Sequence, residues 1–311
     1  MNDIRRRLFK KVGLLIIKYF LTAGVLFIIF RRVNIDRAIS LIMEADLKKF
    51  VFVFVVLCPS YFVLKIFKWR ILLRKCGCQN SIIDIGYSFF LGFLLGIVTP
   101  GRIGELARIR NLEGDKYQLA GLVFYDRVLD LLAVIFLALC SVIVEFPQYY
   151  IFFVVFLSVF LTVGILFFRK NSHFAQQNFI KNGWRAKAQR FFFLIKRIDW
   201  RTFFNLFFLT IMAYVLITSQ FVFIAASFTS VTRHLVFLVP IVMLINIVPL
   251  TVGGLGVREA LFLFLLGKGG VVPGEILVNS SILWFTFNLI IGFLGFLAFF
   301  LLQKEYKSFE S

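Results

Sequence analysis

Thr99-Pro100-Gly101-Arg102-Ile103-Gly104-Glu105-Leu106-Ala107-Arg108 follows an apolar run, Ile82 to Val98, with the length and composition of a membrane segment. Pro100 has no N–H and Gly101 accepts any φ, so a helix is expected to break here. Charged side chains follow at once. A second stretch has the same make-up: Pro249-Leu250-Thr251-Val252-Gly253-Gly254-Leu255-Gly256-Val257-Arg258-Glu259, after the apolar run Leu235 to Val248. The hinge residues are therefore Pro100, Gly101 and Gly104 in the first break, and Pro249, Gly253, Gly254 and Gly256 in the second. Paired Gly/Pro interruptions in the two halves of a membrane chain point to a site near the bilayer midplane.

Working outward, 60% of the residues are apolar and 43 are Phe, more than a soluble domain carries. Continuous apolar blocks predict an all-α polytopic membrane protein rather than a barrel of alternating strands. The expected full spans are Val12–Phe30, Phe50–Phe67, Val128–Phe146, Tyr149–Phe168, Phe203–Phe228 and Glu275–Leu302, with the two broken segments making eight in all. Val12–Phe30 is long enough to span and is followed by basic residues, so it reads as an uncleaved first helix. The chain is expected to form one transmembrane domain, 1–311, with halves 1–168 and 203–311 and a basic linker, 169–202.

The net charge of +19 follows the loops. With both termini cytoplasmic, the inner loops and tails carry 20 Lys and Arg against 7 outside, as the positive-inside rule expects. Such a face attracts anionic lipid, and no nucleic-acid module is visible. Trp184–Ile198 has the pattern of a basic amphipathic helix at that face, or of an ordinary linker. For Glu145–Gln148 to lie outside, the Pro100 break must enter and leave from the cytoplasm, and the Pro249–Gly256 break from the outer side. Two re-entrant hairpins in an inverted repeat satisfy this count; so do two plain crossings with polar hinges.

Ionised groups in hydrocarbon cost about 2.5–3.5 kcal/mol each at mid-helix on insertion scales, so they pair or face water. Arg102, Glu105 and Arg108 fall near one another on a helix beginning after Gly101, Asp126 and Asp130 share a face with Arg127 between them, and Arg258 and Glu259 open the helix after the second break. As a substrate-binding set, the arginines would hold a phosphate while the acids position them or meet a cationic part of the ligand. As a structural set, the same residues would be buried ion pairs fixing the broken helices. Asp126, Arg127 and Asp130 could equally sit at a span end, where charge is cheap. Cys58, Cys76, Cys78 and Cys140 have no zinc spacing, His173 and His234 stand alone, and no nucleotide fingerprint occurs, so neither metal nor cofactor is expected.

Pro100-Gly101-Arg102-Ile103-Gly104-Glu105, Tyr125-Asp126-Arg127-x-x-Asp130 and Gly253-Gly254-Leu255-Gly256-Val257-Arg258-Glu259-Ala260 resemble signature blocks of the lysylphosphatidylglycerol synthase transmembrane-region family. This is the membrane part of the bacterial multiple peptide resistance factor, and it also occurs as stand-alone proteins. The resemblance implies a lipid translocase of the bacterial cytoplasmic membrane. It does not imply the synthase activity, because the soluble transferase that supplies it is expected to be missing after Ser311. The expected substrate is an anionic or zwitterionic lipid, phospholipid or polyprenyl-linked, and homo-oligomerisation stays open. The alternatives are a membrane enzyme acting on a lipid phosphate, with Glu105 or an Asp as base, and a non-catalytic partner of a lipid-modifying enzyme.

Overall fold

The computed structural model describes Ser40 and residues 43–75, 77–145, 147–151, 155, 191, 198–230, 233–246, 256–267 and 272–310. The expected spans Val12–Phe30 and, beyond its first few residues, Tyr149–Phe168 lie outside the described residues, as do the hinge residues Pro249, Gly253 and Gly254. The amphipathic stretch within 184–198 does so too, apart from Phe191 and Ile198.

Among the described residues the ordered elements are helical. Four helices are long and apolar enough to cross a membrane: α1 (Leu47–Lys75), α3 (Lys116–Glu145), α4 (Trp200–Ala225) and α7 (Gly274–Glu310, apolar to Tyr306). Between them come α2 (Ile82–Val98), which runs into a 3-10 helix (Pro100–Ile109), then α5 (Arg233–Asn246) and the short α6 (Val257–Phe262). The observed spans begin earlier than the apolar runs alone suggest: α3 starts at Lys116, not Val128. Large apolar side chains such as Val63, Phe208, Phe293 and Leu301 are exposed on them, as lipid-facing surfaces require.

The chain forms two compact units. The first holds residues 1–59, 92–105 and 217–293; the second holds 60–91, 106–216 and 294–311. In the first, the core gathers Phe221, Ala225, Leu235, Val239, Val242, Phe262, Val272, Ile276 and Leu277, with the Phe221 and Phe262 rings stacked 4.2 Å apart. Within α1 the turn Val53–Leu57 widens into a π-helix just before Pro59, which has no N–H to donate. The Leu57 carbonyl accepts a hydrogen bond from Gln220 Nε2 at 3.1 Å, and Gln220 Oε1 in turn accepts from Trp284 and Asn288.

In the second unit the core of α1 and α2 is aromatic, and Trp69 donates to Ser88 Oγ. Asn80 clamps the backbone of Glu113 from both sides: its side-chain oxygen accepts from the Glu113 N–H at 2.9 Å, and its amide donates to the Glu113 carbonyl at 3.4 Å. The residues immediately before and after the α2 excursion are thus neighbours. Glycines on α7 let aromatic rings approach the helix backbone closely. A Cβ on Gly292 would fall 2.4 Å from the Phe93 ring, and one on Gly295 would fall 2.3 Å from the Phe90 ring.

Candidate functional site

The first break forms as a sharp reversal. α2 ends at Val98, where Thr99 Oγ1 donates to the Leu95 carbonyl at 2.7 Å and accepts from the Gly104 N–H at 2.7 Å. A continuous helix would put residue 104 about 13 Å beyond residue 95. Here a Cβ on Gly104 would lie 2.2 Å from the Leu95 carbonyl oxygen, so only glycine fits. The left-handed step falls on Arg102 itself, at φ 57°, an uncommon conformation for a residue with a Cβ. Arg102 is half exposed and pairs with Glu105 at 3.3 Å, while Glu105 is buried against Gly96.

The largest charged cluster lies in the second unit. Asp126 and Asp130 are one helical turn apart on α3, as expected, and both are buried. They lie ten and fourteen residues beyond Lys116, about 15 and 21 Å along the helix. Asp130 Oδ1 accepts from Lys65 Nζ at 2.5 Å and from Lys68 Nζ at 2.8 Å, and Arg127 is 3.1 Å from Oδ2. Asp126 pairs with Lys68 at 2.6 Å, Arg108 at 3.0 Å and, more loosely, Arg127 at 4.0 Å. Lys68 also donates to Thr210 on α4. The Arg108 guanidinium lies over the Phe89 ring at 4.6 Å and the Trp69 ring at 5.7 Å, which suits a desolvated cation. Arg127, its side chain 30% exposed, is the accessible member.

At the second break Gly256 adopts φ 87° and its N–H donates to Glu259 Oε2 at 2.6 Å, so the acid caps the helix it opens. Arg258 donates to Glu259 Oε1 at 2.7 Å and to the Ser281 hydroxyl and carbonyl on α7 at 2.5 and 3.0 Å, and its guanidinium lies 4.6 Å from the Trp284 ring. This pair is fully buried and braces α6 against α7.

Of the eight expected site residues, Arg102, Glu105, Arg258 and Glu259 belong to the first unit, and Arg108, Asp126, Arg127 and Asp130 to the second. Each acid has an arginine within 3.3 Å. Lys65 and Lys68 are not among these eight residues. Both are buried, at 3% and 1%. Two lysines three residues apart at the end of an apolar run were the signal, since an ionisable residue inside the membrane marks a site. Among the described residues, no three His, Cys, Asp or Glu side chains are grouped to share a metal ion.

Spanning helices with apolar outer faces and buried, hydrogen-bonded charges define a multi-pass membrane protein. Residues 12–305 match the lysylphosphatidylglycerol synthase TM region family, and the chain belongs to it. None of the curated proteins matches the chain.

Proposed function

We propose that the protein moves a phosphate-bearing lipid between the leaflets of a bacterial cytoplasmic membrane, with both termini cytoplasmic. The observation that carries this reading is the ionised cluster about midway along α3. Charges buried among spanning helices are costly to keep for packing alone, because apolar residues of similar volume serve that purpose as well or better. A lipid head group would cross through such a hydrated, charged region while its tails stay in the bilayer. The membership in a lipid-related membrane family supports the same reading.

The broken segments serve as re-entrant hairpins in this scheme. The Asn80–Glu113 clamp supports a first hairpin that leaves the membrane on the side it entered, and the shared cluster of Leu235 and Val272 supports a second. With the six full spans they make the inverted repeat expected of a transporter. Within the second unit Arg127, the accessible cation of its cluster, meets the head group beside Arg108, Asp126 and Asp130; within the first unit the half-exposed Arg102 offers a second cation beside Glu105, and Arg258–Glu259 holds the second hairpin in place. The basic cytoplasmic face recruits anionic lipid.

Reconstitution into liposomes with an acyl-labelled fluorescent phospholipid tests this directly. Wild-type protein is expected to expose inner-leaflet probe to an external quencher, and Arg102→Ala and Arg127→Ala to slow that exposure at least about tenfold, a loss of roughly 1.4 kcal/mol of barrier lowering. Unchanged exchange in both variants refutes the site assignment, and a chemically altered probe refutes transport in favour of an enzyme.

A further inference from the structure

A cavity of about 750 Å³ opens in the second unit where several elements end together. Its walls come from the last turn of α1, the stretch leading into α2, Glu113 after the 3-10 helix, and the C-terminal turns of α7. The volume is that of a small-molecule site, about 300–1,000 Å³, yet such sites are mostly apolar with a few polar anchors. Here the wall is polar. Arg74, Gln79, Asn80, Ser81, Asp84 and Glu113 line it, and the Tyr306 ring adds an aromatic face.

Part of that wall already holds the fold together. Ser81 and Asp84 bond each other at the first turn of α2, Gln303 on α7 donates to Asp84 Oδ1 at 2.5 Å, and Asn80 grips the backbone of Glu113. Other groups have no such duty. Among the described residues the Arg74 guanidinium, the Gln79 amide and the Glu113 carboxylate make no hydrogen bond or ion pair. They leave N–H donors and carboxylate or amide acceptors facing one space.

The charged groups of the wall are two carboxylates and one guanidinium. An anion meets Asp84 and Glu113, and a cation meets Arg74, so neither sign is favoured throughout. A hydroxyl group is donor and acceptor at once, and suits guanidinium, amide and carboxylate alike. The partly exposed Tyr306 ring offers an apolar face to the C–H groups that lie between hydroxyls. We propose that this cavity binds a neutral polyhydroxylated group, a sugar or polyol, either soluble or borne on a lipid. The proposal goes beyond translocation and does not depend on it. Occupancy also acts on the α2 excursion. Arg74 precedes α2 and Glu113 follows the 3-10 helix, so a ligand bonded to both reinforces the tie that Asn80 makes.

Cys78 lines the cavity and reports on it. The full-length protein is placed in nanodiscs of phosphatidylcholine alone, or with monoglucosyldiacylglycerol or phosphatidylethanolamine added. Maleimide labelling at Cys78 is followed by peptide mass spectrometry, and methyl glucoside added to the first preparation is the soluble counterpart. A bound ligand slows labelling by the factor 1 + [L]/Kd, about threefold at twice the Kd. The glucolipid, methyl glucoside or both are expected to reach that slowing, and phosphatidylethanolamine is not. Slowing by the glucolipid alone assigns the site to a lipid head group, by methyl glucoside alone to a soluble ligand, and by both to the sugar from either source. No slowing by either sugar, or equal slowing by phosphatidylethanolamine, overturns the proposal. Arg74→Gln and Glu113→Gln, each compared with its own unliganded rate, are expected to lose the slowing; slowing that survives in both overturns the assigned contacts. The wild-type comparison decides the proposal whether or not these variants fold.

Discussion

Asp130→Asn is the substitution with the most to reveal. The carboxylate it removes has three cations against it, Lys65 at 2.5 Å, Lys68 at 2.8 Å and Arg127 at 3.1 Å. At an effective dielectric near 20, unit charges about 3 Å apart attract by roughly 5–6 kcal/mol, and desolvation of both partners offsets most of this. The asparagine keeps the shape and one accepting oxygen but loses the charge, and its NH₂ group faces other donors. Lys68 retains Asp126 and Thr210, and Arg127 retains Asp126 at 4.0 Å, whereas among the described residues Lys65 keeps only a neutral amide oxygen and ring faces. Stranding one such charge costs about 3–5 kcal/mol. Lys65→Met in the Asp130→Asn background removes the stranded ammonium, and the double variant is expected to recover about 1–3 kcal/mol relative to Asp130→Asn alone. Denaturant unfolding in a single detergent, followed by tryptophan fluorescence, reads all four corners of the cycle; buried Trp69 near the cluster reports on it. A loss below about 1 kcal/mol for Asp130→Asn, or a double variant as unstable as the two single losses summed, would refute the buried ion-pair account.

Gly104→Ala is expected to disrupt the first hairpin and lower the yield of folded protein, because its Cβ meets the Leu95 backbone at 2.2 Å. Gly96→Ala meets only the movable Glu105 Cγ at 2.6 Å and is expected to fold, a difference that size-exclusion profiles in detergent resolve. Outside the spans, the Thr202 hydroxyl and then Lys75 hold the Asp199 carboxyl at about 2, below its ordinary value of 3.8. A depressed carboxyl stabilises the fold above its unfolded value and loses that contribution as pH falls through the folded one. The melting difference between wild type and Asp199→Asn should therefore be full at pH 5 and shrink between 4 and 2. Burial, and then the neighbouring Glu113 charge, push the Cys78 thiol above its ordinary value, so maleimide should label it slowly at neutral pH and Glu113→Gln should speed the labelling.

Hydrophobic length and helix-breaking residues are local properties, and the primary sequence determined whatever depends on them. The all-helical membrane class, α1, α3, α4 and α7 as spans, the interruption at Pro100 and the helix start after Gly256 all follow from apolar runs and from residues that cannot continue a helix. So does the pairing of Arg102 with Glu105 and of Arg258 with Glu259, since those partners are neighbours along the chain. Only the folded chain decided the partners of Asp126 and Asp130, because Lys65 and Lys68 reach them from a different helix and nothing in the local pattern reports which buried cations a carboxylate will meet. It also decided that Gly104 must be glycine because a carbonyl nine residues earlier comes to lie against it. Burial and reversal of the backbone are set by packing, and packing is written in contacts that linear spacing does not contain.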